Sequence, residues 1–247
     1  MKEEIIYGLN PVLEALRGTR KAFELFIAGT GTDKRLEKLL KLAADKGVPV
    51  RNRERSDIAR ICGSDHHQGV ALRAEAFSYA GLDDILARCR AFPGDGLLLV
   101  LDGVQDPHNL GALIRSAACA GAHGVIIPKD RAVGVTPTVE KASAGAVETI
   151  PVAQVVNIAQ ALEELKQEGF WIYGATDDAP SILYGQKFSG AVALVIGSEG
   201  EGMRPLVRKK CDALFSIPMH GGVSSLNASV AGGVALFEIV RQRLAET

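Results

Sequence analysis

Three segments of the 247-residue chain place polar or charged side chains just after an apolar run. The first, Asp102-Gly-Val-Gln-Asp-Pro-His-Asn-Leu-Gly-Ala-Leu-Ile-Arg-Ser-Ala, opens a helix at Asp106-Pro107 and sets Asn109 and Arg115 in its early turns. Six residues at about 100° each carry the second side chain about 240° round the axis, so the two flank one edge of the helix instead of stacking. An amide and a guanidinium so placed can orient and polarise an oxygen; Asn109 reads equally as an exposed helix residue and Arg115 as a surface arginine lying along apolar neighbours. The second segment, Gly197-Ser-Glu-Gly-Glu-Gly202, lies between an apolar run and a helix starting near Pro205. Its glycines let main-chain N–H groups approach a ligand closely, although GxxGxG is neither the dinucleotide fingerprint nor a phosphate loop closed by Lys-Ser/Thr. Glu199 inside it opposes a phosphate and favours a cationic or hydroxyl-bearing ligand. In the third segment, Ile217-Pro-Met-His-Gly-Gly-Val-Ser-Ser-Leu-Asn-Ala-Ser229, Ser225 is placed to cap the last helix, and Asn227 and Ser229 are polar residues in a helix otherwise made of Ala, Gly, Val and Leu. Ser224 and Ser225 read equally as simple caps, and Ala228, Ala231, Gly232 and Ala235 as contacts for close helix packing.

Such segments need strands that end side by side. From Gly96 the chain shows near-continuous apolar runs at 97–101, 124–127, 192–196 and 214–217, with 171–175 a fifth. Runs without alternation indicate strands buried on both faces of a parallel sheet. Helices are expected between them at 107–120, 137–142, 157–168, 205–210 and 226–244. In an open parallel sheet the ligand site lies beyond the carboxyl ends of the strands, where all three segments fall. Before Glu75 the elements are shorter. A helix capped by Asn10 with Pro11 at its first position runs to about 18, a strand follows at 22–28, and residues 34–46 carry Leu36, Leu39, Leu40 and Ala43 at helical spacing. An extended piece at 48–50, a helix at 56–61 and a strand at 69–73 complete a small α/β unit. The stretch 76–95, with a helix-like segment bounded by Gly81 and Pro93-Gly94, reads as a linker between domains 1–75 and 96–247.

Composition narrows the function classes. A chain that is 47% hydrophobic and 23% charged, with mean hydropathy +0.12, has the apolar content of a folded soluble protein and not of a disordered one. Its longest apolar stretches, such as 191–196, run to about six residues against the roughly 20 that a spanning helix needs. The opening Met-Lys-Glu-Glu-Ile-Ile lacks the pattern of a secretory signal, so a cytoplasmic protein with no membrane partner is expected. Cys62, Cys89, Cys119 and Cys211 form no CxxC pair and read as reduced, mostly buried thiols. His66 and His67 are adjacent and no HExxH occurs, so no metal is expected. Net charge is −1, but residues 1–75 hold 14 Lys/Arg against 11 Asp/Glu, with nine basic and four acidic residues between Lys34 and Arg60. This basic stretch is either a solvated helix face with a charged turn or a nucleic-acid contact surface.

Taken together, Asp106-Pro-x-Asn109 with Arg115, Gly197-x-Glu199-Gly-x-Gly202, and Ile217-Pro218 through Ser225-Leu-Asn227-x-Ser229 resemble the three ordered motifs of the SpoU (TrmH) branch of the SPOUT RNA 2′-O-ribose methyltransferases. The resemblance covers residues 96–247. The front end is similar to the family's substrate-binding extension through Tyr7-Gly8-Leu-Asn10-Pro11-Val-Leu-Glu-Ala-Leu16 and His67-Gln68-Gly69-Val-Ala71. With the closing Phe237-Glu238-x-x-Arg241-Gln-Arg243, it resembles members that methylate a guanosine of bacterial 23S ribosomal RNA in the peptidyl-transferase region. The resemblance implies an α/β fold: a C-terminal trefoil-knot domain with a parallel sheet, and a small N-terminal L30e-like domain that binds the RNA substrate. It implies S-adenosylmethionine bent within the knot, enclosed by Gly197, Ser198, Gly202, Ile217, Met219 and Leu226, and an obligate homodimer with its site at the interface. It further implies that Arg115 is essential, as general base or as stabiliser of the developing alkoxide, that Asn109, Glu199 and Asn227 orient the ribose and the arginine, and that Ser225 and Ser229 complete the polar shell. Ala228 stands where relatives often carry Val.

Two other readings share part of this pattern. A transfer-RNA 2′-O-methylase would carry all three motifs, and the N-terminal extension is what favours ribosomal RNA or an assembly intermediate as partner. A non-catalytic RNA-binding or ribosome-assembly protein would keep the basic front domain but need not keep Arg115, Glu199 and Asn227 together.

Overall fold

A computed structural model describes residues 2–29, 34–92, 95–222 and 225–245 of the chain. They form two compact units, one of Met1–Ser78 with Val135–Thr149 and one of Tyr79–Gly134 with Ile150–Thr247.

The first unit is built on a four-stranded sheet in the order β1 (Glu3–Tyr7), β4 (Val70–Glu75), β2 (Ala22–Ile27), β3 (Val50–Asn52), with β4 antiparallel to both neighbours and β2 parallel to β3. Helix α2 (Lys34–Asp45) forms as its spacing requires, burying Leu36, Leu39 and Ala43 under a face of lysines. Helices α1 (Leu9–Arg17) and α3 (Arg55–Cys62) complete the set near the amino end. Contrary to the expectation from Asn10-Pro11, α1 is capped by Gly8, whose φ of +97° suits glycine. Glycine has no side chain to cap with, and Gln68 takes its place: the Leu9 amide donates to Gln68 Oε1 at 2.9 Å.

The second unit carries a seven-stranded parallel sheet: β7 (Val152–Val155), β6 (Gly124–Pro128), β5 (Leu97–Asp102), β10 (Val192–Gly197), β8 (Trp171–Ala175), β11 (Ala213–Ser216), β9 (Ser181–Ile182). Every residue of β5, β6 and β10 is buried, which accounts for their unbroken apolar sequences. Strand β10 enters between β5 and β8, and β11 between β8 and β9, so later strands are inserted among earlier ones. Helices α5 (Pro107–Cys119), α7 (Ile158–Gln167), α8 (Pro205–Lys210) and α9 (Ala228–Ala245) lie where the sequence placed them, α9 starting two residues later.

The proposed linker does not behave as one. Residues 82–91 form α4 (Leu82–Ala91), whose Ile85, Leu86 and Cys89 enter the core of the second unit, while Ala80 bridges to Ala153. Pro93-Gly94 lies outside the described residues. In the opposite sense, Val135–Thr149, with α6 (Pro137–Ala142), leaves the parallel sheet and joins the first unit. Local composition shows that a helix is amphipathic but not which core will take its apolar face. The cysteines also differ from expectation, since only Cys89 is fully buried and Cys119 is exposed. Burial pushes the Cys89 thiol up to about 11 and Cys211 up to about 12, so both stay protonated at neutral pH.

Candidate active site

Strands β5 and β10 lie side by side with Asp102 and Gly197 in register at their carboxyl ends. From β5 the sheet runs outward through β6 and β7 on one side and through β10, β8, β11 and β9 on the other, so the loops beyond Asp102 and Gly197 border a topological switch point. Beyond Asp102, α5 starts under a cap in which Asp106 accepts from the His108 amide at 2.8 Å, with Pro107 opening the helix. That start turns Asn109 inward to 8% exposure, so it is not the surface residue that its sequence also allowed.

Asn109 joins the three motifs. Its Nδ2 donates to Glu199 Oε1, and its Oδ1 accepts from Asn227 Nδ2 at 2.9 Å. Asn227 Oδ1 in turn accepts from the Ser229 amide at 2.9 Å, the Ser229 hydroxyl at 2.6 Å and the Val230 amide at 3.4 Å. The donors thus run in one direction, from Ser229 through Asn227 and Asn109, and end on the Glu199 carboxylate. Asn227 is therefore the cap of α9, where the sequence pattern points to Ser225; Ser225 stands two residues before Asn227, and Ser224 lies outside the described residues. Arg115 stands on the exposed side of α5, outside this chain of hydrogen bonds.

Glu199 is carried by a tight loop in which Ser198 and Gly202 exchange two main-chain hydrogen bonds of 3.0 Å. At Gly197 a Cβ would fall 2.2 Å from the main-chain carbon of Gly202, so the loop's own backbone requires glycine there, before any ligand is considered. The loop forms one wall of a cleft of about 670 Å³. Gly197, Ser198, Gly202, Ile217, Met219 and Leu226 all line it, together with Glu199, Ser225 and Asn227. Asn109 stands behind Glu199 and Asn227, and Ser229 reaches the site through Asn227.

The sequence reading missed the wall made by Thr176, Asp177, Asp178 and Arg208. Asp178 accepts from the Thr176 hydroxyl at 2.6 Å and from Arg208 Nη1 at 2.9 Å, and these bonds hold its carboxyl below the usual range. The signal was available, because residues 176–178 follow an apolar run just as the three motifs do. In the first unit, the carboxyl ends of the parallel strands β2 and β3 open onto a second cleft, of about 660 Å³, edged by Asn52, Arg53 and Arg55 with Glu54 and Asp57. Nearby Arg51 pairs with Glu24 at 3.0 Å and Arg60 with Asp57 at 3.2 Å, so part of the basic stretch is internally neutralised.

Comparison with known proteins finds family matches along both parts of the chain. Residues 96–237 match the SpoU rRNA methylase family, and residues 5–80 match the RNA 2′-O ribose methyltransferase substrate-binding family. The chain is 49% identical over 244 residues to the 23S rRNA (guanosine-2′-O-)-methyltransferase RlmB of Ralstonia nicotianae, covering 98% of this chain and 97% of that protein. It is 45% identical to RlmB of Xylella fastidiosa, covering 98% of each. The crystal structure of the SpoU methyltransferase AviRb from Streptomyces viridochromogenes, in complex with AdoMet, superposes with a TM-score of 0.82 at 25% identity, over 98% of this chain and 91% of that one. With its three motifs joined through Asn109 beside one cleft, and family matches on both sides of residue 80, the chain belongs to the SpoU rRNA methylase family.

Proposed function

We propose that the protein transfers a methyl group from S-adenosylmethionine to the 2′-hydroxyl of a guanosine in 23S ribosomal RNA, as a cytoplasmic homodimer. The observation that carries this reading is the Glu199–Asn109–Asn227 chain beside the 197–203 cleft. The cleft suits the cofactor: Ile217, Met219, Leu226 and Ala231 offer apolar surface to a flat base, while the loop's main-chain groups discriminate its edges. A carboxylate at the rim fits a cationic ligand and argues against a phosphate. Bound there, S-adenosylmethionine supplies a methyl group already activated on sulfur, which leaves the protein to position the ribose and assist loss of one proton.

Asn109 and Asn227 hold Glu199 in one orientation, and Glu199 with Ser225 orients the ribose. Arg115 assists at the hydroxyl; because a guanidinium keeps its proton at ordinary pH, stabilising the developing alkoxide fits it better than acting as a base. Its exposure on α5 suits a site completed by a second copy, and Leu226, Val230, Phe237 and Leu244 add exposed apolar surface on or beside α9 for that contact. The cleft edged by Arg53 and Arg55 gives the first unit a basic surface for the RNA backbone.

The test is transfer of labelled methyl from S-adenosylmethionine to RNA lacking the modification, with ribosomal and transfer RNA separated and the nucleoside identified. Label in 2′-O-methylguanosine of 23S RNA is expected, and folded Arg115→Ala is expected to lose it. Label only in transfer RNA keeps the chemistry and overturns the substrate. No label in either returns the protein to the non-catalytic RNA-binding class.

A further inference from the structure

Asp102 has no part in the roles assigned so far, yet its side chain has 0% exposure at the carboxyl end of β5. Its Oδ2 accepts from the main-chain amide of Arg204 at 2.8 Å, and its Oδ1 accepts from Arg204 Nε at 2.6 Å and pairs with Nη2. Arg204 is where the loop leaves the cleft and α8 begins, and among the described residues no N-cap side chain bonds to the start of α8. The entrance of the loop is already fixed, since Gly197 pairs with Asp102 in the β5–β10 ladder. One residue therefore ties the strand that leads to Asn109 to both ends of the loop that carries Glu199, its main chain to the entrance and its carboxylate to the exit. A neutral side chain of the same size would fill this space but could not hold the guanidinium and the amide together.

We propose that Asp102 is a positioning residue for methyl transfer: by holding Arg204 through its main-chain amide and its guanidinium, it fixes the exit of the 197–203 loop and so sets the cofactor wall. This rests on the assignment of the cleft to S-adenosylmethionine. A group that only stabilised the fold would, when replaced, lower the melting temperature and leave the ligand affinity of the folded protein unchanged. A positioning group moves affinity.

Titration calorimetry with S-adenosylmethionine on the full chain, with thermal unfolding and amide exchange of residues 198–204, separates these cases. Asp102→Asn is expected to weaken binding about tenfold, the scale of a lost charge-assisted hydrogen bond, raising KM for the cofactor more than it lowers kcat and leaving KM for RNA unmoved. Arg204→Lys restores most of the affinity that Arg204→Ala loses. A folded Asp102→Asn with wild-type affinity overturns the proposal. Should Asp102→Asn not fold, Arg204→Ala decides, because the arginine is 45% exposed and keeps its main-chain tie: a loss of threefold or more supports the clamp, and unchanged affinity overturns it. If the wild type itself binds no S-adenosylmethionine, the cofactor assignment fails. Faster exchange at 198–204 in the variant then retains the loop clamp, and equal exchange removes that as well.

Discussion

Position 109 needs a side chain that donates on one side and accepts on the other, because Glu199 offers only acceptors and the Asn227 amide nitrogen only donors. An amide of this length does both. Asn109→Asp keeps the shape and the acceptor but places a second carboxylate against Glu199, and two such groups cannot both ionise without raising one proton affinity. The variant is expected to lower kcat about a hundredfold at neutral pH, in the range for a misplaced catalytic group, and to recover part of the loss as the pH falls. The sign follows from the shared proton: once one carboxyl is protonated, a donor toward Glu199 is restored. A pH–rate profile checks this, and a loss that is flat with pH would remove the donor argument. Asn109, Glu199 and Asn227 could be selected from the sequence by type and place after apolar runs. That Asn109 joins the other two could not, since Glu199, 90 positions away, reaches it through the insertion of β10 beside β5, and Asn227, 118 positions away, through the packing of α9 against α5.

Among the elements, α1 shows how two separated segments of sequence make one structure. Gly8 leaves the first turn without a cap, and Gln68, itself at φ +55°, supplies an oxygen to the Leu9 amide. Gln68→Ala removes the oxygen and keeps the left-handed backbone, so a loss of about 1 kcal/mol is expected, as for other lost caps. Gln68→Gly also removes the oxygen but relieves the backbone, and is expected to lie within a few tenths of a kcal/mol of the wild type. Denaturant unfolding compares the two with the wild type: a Gln68→Ala variant as stable as the wild type would mean that the side chain does not cap α1, and equal losses in both variants would mean that the backbone at this position is not strained. Elements with a strong local cause were legible: β5, β6 and β10 from unbroken apolar runs, α6 and α8 from a proline at the first helical position. Those that depend on a partner were not. Strand β9 is two residues that pair because β11 lies beside them, β1 is completed by antiparallel pairing to the distant β4, and the helical pattern of α4 shows in the sequence while the core that takes it, elsewhere in the chain, does not.

At the scale of the molecule, the segment Val135–Thr149 is drawn out of the second unit and fastened within the first by a cluster that holds more acid than base. Arg20 donates from Nε to both Glu148 oxygens at 3.0 Å, and also pairs with Glu140 on α6 and Glu4 on β1. Phe77 lies under the guanidinium, 5.4 Å from it to the ring centre, and Lys141 turns its ammonium over Tyr7. Three carboxylates thus face one guanidinium in a nearly dry site. Glu140 is 2% exposed, and among the described residues its Oε2 has no hydrogen-bond partner. Burial, reinforced by the charges of Glu4 and Glu148 and opposed by Arg20, pushes its carboxyl up to about 8. In the unfolded chain the same group titrates near 4.5, so between these values the folded state holds one more proton than the unfolded state. Stability from this group is therefore full at low pH, declines as pH rises from about 4.5 to about 8, and levels off above that. Glu140→Gln carries a neutral side chain of the same shape at every pH and removes the slope. Its melting temperature is expected to track the wild type near pH 5 and to exceed it by pH 9, with the gap opening between those values. Thermal unfolding of both proteins across that range is the measurement; a gap that stays constant with pH would mean that Glu140 is ionised throughout and that Arg20 alone balances all three carboxylates.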